Sequence, residues 1–244
     1  MDKSNTRIAL FFGITLIWSL LWFSQKHLLT NILGDIPSFA VLFLGWVPAL
    51  GLFIGSLLLR KKLDKKKTSI AGNNLRYSAV IISIPILCLT IIGVKNNFGI
   101  QMNLFGAFIG VFTMIYAFLE EYGWRGYLQE ELMPKFNKWI AYSITGITWY
   151  IWHWYFLREG NDAKFFMIPI LIVASIGIGE IAKSTRSILI CTALHGIVNI
   201  LFIYSIISNQ LSSAQKAIIL VISLAIWIPI IRKLEKQNTA INQN

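Results

Sequence analysis

The sequence predicts an all-α fold, a polytopic membrane helical bundle of about eight transmembrane helices with both termini cytoplasmic. Of its 244 residues, 56% are hydrophobic and only 14% are charged, and the mean hydropathy is +0.64. These values do not fit a water-soluble globular domain. The apolar residues form long runs, and Lys and Arg collect between alternate runs. The bilayer is therefore the expected solvent of the chain.

Composition excludes several other classes of protein. The aromatic and aliphatic content excludes a disordered chain, and Cys88 and Cys191, both inside apolar runs, are too few for a disulfide scaffold. The formal net charge of +11 does not indicate nucleic acid, because the positive residues lie between apolar runs and do not interleave with exposed aromatic residues. We therefore expect the lipid bilayer, and no nucleic acid, as a partner.

Eight apolar runs approach the roughly 20 residues that are needed to cross the hydrocarbon core. They predict one integral membrane domain over residues 1–236, followed by a polar C-terminal tail at 237–244. The runs cover residues 8–23, 36–59, 77–94, 100–119, 139–157, 165–182, 187–207 and 214–231.

The positions of Lys and Arg predict the orientation of the bundle. If the N-terminus lies inside, the predicted outer segments hold only five of the 22 basic residues, so both termini are expected to be cytoplasmic. The basic run at 60–67 is interpreted as a solvated inner loop, with an anionic-lipid or partner site as the alternative. The five outer residues are Lys26, Lys95, Arg158, Lys164 and Lys216.

A few polar residues interrupt the apolar spans. Each ionisable group in a span costs about 2.5 to 3.5 kcal/mol on insertion scales, so such groups are candidates for function. Glu120 and Glu121 end the fourth span, His153 lies in the fifth, and His195 and Asn199 lie in the seventh.

Helix geometry predicts which of these side chains share a face. Consecutive Glu120 and Glu121 point about 100° apart, whereas Glu121 and Arg125 lie at i,i+4 and can pair. Glu120 is then the freer carboxylate. His195 and Asn199, also at i,i+4, project an imidazole and a carboxamide from one face.

This set of residues suits hydrolysis. Two carboxylates, two imidazoles and an amide in an apolar bundle offer a general base, a group that can polarise water and donors for an oxyanion. Each element also has a structural interpretation: an interfacial salt bridge for Glu121 and Arg125, a hydrogen bond in the aromatic belt for His153, and interhelical packing for His195 with Asn199. It is improbable that all three are structural, because polar groups are so sparse in these spans.

At these residues the sequence resembles the CAAX protease and bacteriocin-processing family of intramembrane endopeptidases, in its prokaryotic form. The Glu-Glu-x-x-x-Arg motif of that family matches Glu120, Glu121 and Arg125. Its Phe-x-x-x-His motif matches His153 with Trp149 in the Phe position, and its His-x-x-x-Asn motif matches His195 and Asn199. Any one motif is weak evidence, but all three occur in order, each in a predicted span.

The resemblance implies a glutamate-dependent intramembrane peptidase with a catalytic core at 100–207. By analogy with the family, Glu120 and His153 activate the attacking water, and His195 and Asn199 form the oxyanion site. Glu121 and Arg125 support the site. The implied substrate is a membrane-associated peptide or protein, such as a secreted-peptide precursor or a bacteriocin-type polypeptide, and the implied location is a prokaryotic plasma membrane.

The sequence leaves the metal requirement and two competing functions open. Glu120, His153 and His195 are acceptable zinc ligands, but there is no His-Glu-x-x-His helix and no cysteine cluster, so we favour catalysis without a cofactor, with zinc as the alternative. One competing function is a transporter. It predicts charged residues spread along a path through several helices, whereas here they gather in the fourth, fifth and seventh spans. The main alternative is a non-catalytic scaffold or bacteriocin-immunity-type protein that binds a partner peptide. The oligomeric state is not readable from the sequence.

Overall fold

The computed structural model describes residues 3–32, 43, 45–60, 63, 67–154 and 161–243, and regular structure in these residues is helical apart from one parallel bridge between Ser69 and Ser187. The predicted all-α fold class is thereby confirmed. The helices are α1 (Lys3–Ile32), α2 (Val47–Arg60), α3 (Leu75–Ile92), α4 (Met102–Gly123, continued by a π turn at Trp124–Leu128 and by Gln129–Leu132), α5 (Lys138–Trp154), α6 (Asn161–Thr185), α7 (Ile188–Val198, continued by a π turn at Asn199–Ile203), α8 (Ser205–Ser208) and α9 (Ser213–Gln243).

Five helical segments of the described chain are long and apolar enough to cross a membrane, and two shorter apolar helices accompany them. All eight predicted spans overlap one of the helices α1 to α7 and α9. Residues 36–42 and 44 of the second predicted span and 155–157 of the fifth lie outside the described residues, so the count of eight stays a prediction. The five segments are Lys3–Trp22, Leu75–Ile92, Met102–Leu132, Met167–Thr185 and Ser213–Ala240, and the shorter helices are Val47–Arg60 and Ile188–Ile203.

The chain divides into two compact units, each of which is described by itself. The first unit comprises the described residues of 1–67 and 122–180, and the second comprises those of 68–121 and 181–243. The division falls within α4, directly after Glu121. The single membrane domain over residues 1–236, the membrane orientation and the cytoplasmic termini stay predictions.

In the first unit, α1 packs closely against α2. Gly51 of α2 lies against the Trp18 ring, where a Cβ atom would come within 2.7 Å of the ring carbons. The Trp18 indole nitrogen donates a hydrogen bond of 2.6 Å to the Val47 carbonyl. Arg7 forms an ion pair with Glu131, with 2.7 Å between Nη2 and Oε1, so a salt bridge ties α1 to the end of α4.

Arg60 differs from its prediction as part of a solvated basic loop. It is the last residue of α2, it is buried, and its Nε donates a hydrogen bond of 2.7 Å to the Gly126 carbonyl in the first π turn. A π turn lacks the regular i to i−4 hydrogen bonding, and Arg60 supplies a partner for one of its carbonyls. Most of the basic run, Lys61, Lys62 and residues 64–66, lies outside the described residues.

In the second unit, α3 packs against α4, α7 and α9. Gly106 of α4 lies so near Leu89 of α3 that a Cβ atom would come within 2.2 Å of the Leu89 carbonyl oxygen. On the α9 side, the Trp227 indole donates a hydrogen bond of 2.9 Å to the Ile81 carbonyl. Helix α9 continues to Gln243, beyond the predicted end of the membrane domain at residue 236, and Asn238 in this extension is buried.

Candidate active site

The carboxylates of Glu120 and Glu121 lie on the second-unit part of α4, and both residues are fully buried. Burying a carboxylate away from water is costly unless other groups bind it. The contacts of each carboxylate therefore indicate what the two residues do.

Glu121 binds His195 of α7. Its Oε1 lies 2.9 Å from Nδ1 of His195. Because an ionised carboxylate only accepts hydrogen bonds, Nδ1 of His195 carries the proton in this pair. Gly196 permits the close approach of α7 to α4, since a Cβ atom there would come within 2.6 Å of the Met114 sulfur.

Asn199 lies one turn beyond His195 and is also buried. Its amide nitrogen Nδ2 has no hydrogen-bond partner among the described residues. A buried donor without an acceptor costs about 1 to 3 kcal/mol, and such groups often mark a binding site. The donor suits an acceptor oxygen of a bound molecule.

Asn199 also opens the second π turn, which ends at Ile203. The Tyr204 backbone nitrogen donates a hydrogen bond of 2.8 Å to the Asn199 carbonyl and closes the turn. π turns inside α-helices often occur at functional sites. The turn therefore links the position of Asn199 with that of Tyr204.

Glu120 contacts a pair of tyrosines. The Tyr116 hydroxyl interacts with the Glu120 carboxylate and with the Tyr204 hydroxyl. The two tyrosine rings pack edge to face, with 5.7 Å between their centroids and 66° between their planes. Both tyrosines are partly exposed, whereas Glu120 is fully buried.

The first unit holds the other residues that the sequence predicted. Nδ1 of His153 lies 2.9 Å from the Trp149 carbonyl oxygen, and the imidazole packs edge to face with Trp152 at 4.9 Å between centroids. If Nδ1 donates to this carbonyl, Nε2 of the neutral imidazole is an acceptor. Arg125 is fully buried, with its guanidinium carbon 4.6 Å from the centroid of the Trp149 ring.

The second unit therefore brings together Glu121 with His195, and Glu120 with the tyrosine pair, and it holds Asn199 on the same helix as His195. His153 and Arg125 belong to the first unit, so the predicted juxtaposition of His153 with Glu120 stays a prediction. Sequence reasoning missed Tyr116 and Tyr204. The sequence does indicate Tyr116, because it precedes Glu120 by four residues and so shares a helix face with it. It does not indicate Tyr204, whose position is determined by the π turn.

Within the described part of the chain, no group of three His, Cys, Asp or Glu side chains is arranged to hold a metal ion. The predicted zinc ligands, Glu120, His153 and His195, come from both units. The metal requirement is therefore still open, and both the metal-free mechanism and the zinc alternative stay predictions.

Comparison with known families supports the resemblance that the three motifs indicate. Residues 101–201 match the Rce1-like family, described as type II CAAX prenyl endopeptidase Rce1-like. The match covers less than half of the chain, and this segment is similar to that family. The matched segment contains every predicted site residue, from Glu120 to Asn199, whereas Tyr204 lies beyond it. No curated protein matches the chain.

Rce1-like endopeptidases are proteases, so the match supports protease activity, and the apolar helices support a multi-pass membrane protein. The match does not assign a role to any residue. The prokaryotic origin that the sequence suggested also stays a prediction.

Proposed function

We propose that the chain is an intramembrane endopeptidase that hydrolyses a peptide bond in a membrane-associated peptide or protein. The observation that carries the proposal is the unpartnered Nδ2 donor of Asn199, buried one turn from the imidazole that Glu121 binds. An apolar packing role would leave that donor without an acceptor at a cost in stability, whereas a substrate carbonyl would supply one.

In the proposed reaction, Glu120 is the general base. Its carboxylate takes a proton from water as the water oxygen forms a bond with the scissile carbonyl carbon, and the carbonyl oxygen becomes an oxyanion. When the C–N bond breaks, Glu120 returns the proton to the leaving amine. Both steps need a carboxylate that can take up a proton and release it, and we assign that role to Glu120 because Glu121 is bound to His195.

The oxyanion is stabilised by Asn199 and His195. Asn199 offers Nδ2, and His195 offers Nε2 when the ring is an imidazolium, because Nδ1 already donates to Glu121. The Glu121 carboxylate is then the counter-ion of this imidazolium, and it also fixes the orientation of the ring. Glu121 therefore supports catalysis through His195.

His153 and Arg125 are the other proposed members of the site. We propose that His153 helps Glu120 to activate the water: when Nδ1 donates to the Trp149 carbonyl, Nε2 can accept a hydrogen bond from the water whose other proton Glu120 takes. Arg125 stacks on the Trp149 ring, which lies one turn before His153, so it supports the position of the imidazole.

Glutamate-dependent catalysis without a bound cofactor is our preferred mechanism, with zinc as the alternative. The proposed substrates are membrane-associated peptides, such as secreted-peptide precursors or bacteriocin-type polypeptides, and the proposed location is a prokaryotic plasma membrane. The matched family description adds prenylated peptides to the substrates worth testing.

The test compares membranes that hold the wild type with membranes that hold Glu120→Gln at equal abundance. Mass spectrometry of new peptide termini should find a set released by the wild type and not by Glu120→Gln. Glu235→Gln is the matched control, since it removes the same charge at an exposed position of α9 and should release the wild-type set.

Identical termini from wild type and Glu120→Gln, with both proteins folded, would contradict the peptidase. That result would favour the scaffold or immunity-type protein, for which a bound peptide should co-purify equally with both variants.

A further inference from the structure

We propose that Tyr116 and Tyr204 are positioning residues that hold the Glu120 carboxylate in its catalytic orientation. The inference rests on the proposed role of Glu120 as general base, and it adds two residues that neither the three sequence motifs nor the family match assigns. Tyr204 lies outside the matched segment of residues 101–201.

The hydrogen bonds run in one direction. An ionised carboxylate only accepts, so Tyr116 donates its hydroxyl proton to Glu120. The Tyr116 oxygen can then accept the proton of Tyr204, whose hydroxyl contacts it. The result is a chain from Tyr204 through Tyr116 to Glu120, and each link polarises the next.

Helix geometry explains why Tyr116 can reach the carboxylate. Tyr116 precedes Glu120 by four residues on α4, so both side chains lie on one face of the helix. A glutamate side chain has three rotatable bonds, so its carboxylate can adopt several orientations. One fixed donor selects a carboxylate orientation before the substrate arrives, which is the kind of preorganisation that catalysis needs.

The second π turn explains the position of Tyr204. Asn199 begins the turn, and its carbonyl accepts the Tyr204 backbone N–H at 2.8 Å. Tyr204 itself has left the helix, with φ of −82° and ψ of 99°. The same turn that carries the proposed oxyanion donor thus brings a second phenol against Tyr116, with 5.7 Å between the ring centroids.

Tyrosine chemistry fits this position better than a purely apolar residue would. Tyr116 and Tyr204 are partly exposed residues, whereas Glu120 is fully buried. Phenylalanine would fill the same space without the hydroxyl. The proposed positioning therefore depends on the two hydroxyl groups, which a Tyr→Phe exchange removes while it keeps the rings.

The test measures kcat and KM of the full-length protein in lipid vesicles. The probe is a quenched fluorescent peptide that carries the cleavage sequence most strongly released by the wild type. Tyr116→Phe should lower kcat about tenfold and leave KM within about twofold, because a misoriented base slows the chemical step and not binding. Tyr204→Phe should lower kcat about threefold, since Tyr116 still contacts Glu120.

The double variant separates positioning from general damage to the structure. If the tyrosines act through one hydrogen-bonded chain, Tyr116→Phe with Tyr204→Phe should be as slow as Tyr116→Phe alone. Tyr77→Phe is the matched control in the same unit and should retain the wild-type kcat. Thermal unfolding of each variant tests that the fold is kept.

Two results would overturn the inference. One is a Tyr116→Phe variant with wild-type kcat, and the other is a double variant whose loss is the product of the two single losses. In both cases wild type remains active and Glu120→Gln inactive, so the proposed peptidase function is unaffected. Equal termini from wild type and Glu120→Gln would instead remove the proposed function and this inference together.

Discussion

Glu121 and His195 are 74 residues apart in the sequence, and the structure brings Oε1 of one within 2.9 Å of Nδ1 of the other. Both residues are buried, so the contact is made with little competition from water. It gives Glu121 a partner on another helix, and the predicted pairing of Glu121 with Arg125 on its own helix stays a prediction. The first prediction tests whether the two residues act together.

We predict that Glu121→Gln lowers kcat about 100-fold and that combining it with His195→Gln adds little, because both changes remove the same imidazolium donor. The measurement is a double-mutant cycle of kcat with the quenched fluorescent peptide. Glu235→Gln, at an exposed position, is the control. Losses that multiply would show that Glu121 acts independently of His195.

Arg60→Met should destabilise the protein by about 1.5 to 3 kcal/mol, because it removes a charged donor from the Gly126 carbonyl in the first π turn. The measurement is the free energy of unfolding of the full chain in detergent. Arg76→Met provides the comparison, since Arg76 is an exposed arginine at the start of α3. Equal stability of the two variants would rule out a structural role of the Arg60 hydrogen bond.

Two glycine exchanges should act with opposite signs. Gly106→Ala should destabilise the second unit by about 1 to 3 kcal/mol, because its Cβ would clash with the Leu89 carbonyl oxygen. Gly177→Ala, in α6, meets nothing within 4 Å and should stabilise by about 0.5 to 1 kcal/mol through helix propensity. Unfolding in denaturant measures both, and a stable Gly106→Ala would argue against the close contact of α4 with α3.

Chelation should leave the rate of peptide cleavage unchanged if catalysis needs no metal. The measurement is kcat before and after treatment with a strong zinc chelator, together with the metal content of the purified protein. One equivalent of zinc, lost along with activity and restored with it, would establish the zinc alternative and make Glu120, His153 and His195 its first candidate ligands.

Much of the fold was predictable because hydrocarbon imposes a simple rule on the sequence. A helix that crosses it needs a long apolar run, and each predicted run overlaps a helix of the described chain. The fourth apolar run covers 100–119, and the sequence predicts that its helix continues through Leu128 and ends near Pro134. Helix α4 does reach Leu132, with buried polar residues such as Arg125 and Gln129 in its last turns.

The candidate site was predictable in its members but not in its contacts. Sparse polar residues identified Glu120, Glu121, His195 and Asn199, whose exact roles are still to be tested. The contact of Glu121 with His195 depends on how α7 packs against α4, which rules for neighbours on one helix do not include. The hydrogen bond of Arg60 was also not predictable, because nothing in the sequence distinguishes a basic residue that binds a backbone carbonyl from its neighbours in a basic loop.

The second π turn has a consequence for how length changes in this chain would be tolerated. The turn contains one residue more than a regular helical turn, and the helix ends directly after it, at Tyr204. Removing one residue between Asn199 and Ile203 would move Tyr204 by about 100° around the axis of α7 and would take only one apolar side chain from the span. The mean hydropathy of the span would hardly change, yet the Tyr204 side chain would point in a different direction. Homologous chains that differ by a single residue in this stretch should therefore differ in chemistry more than in membrane insertion.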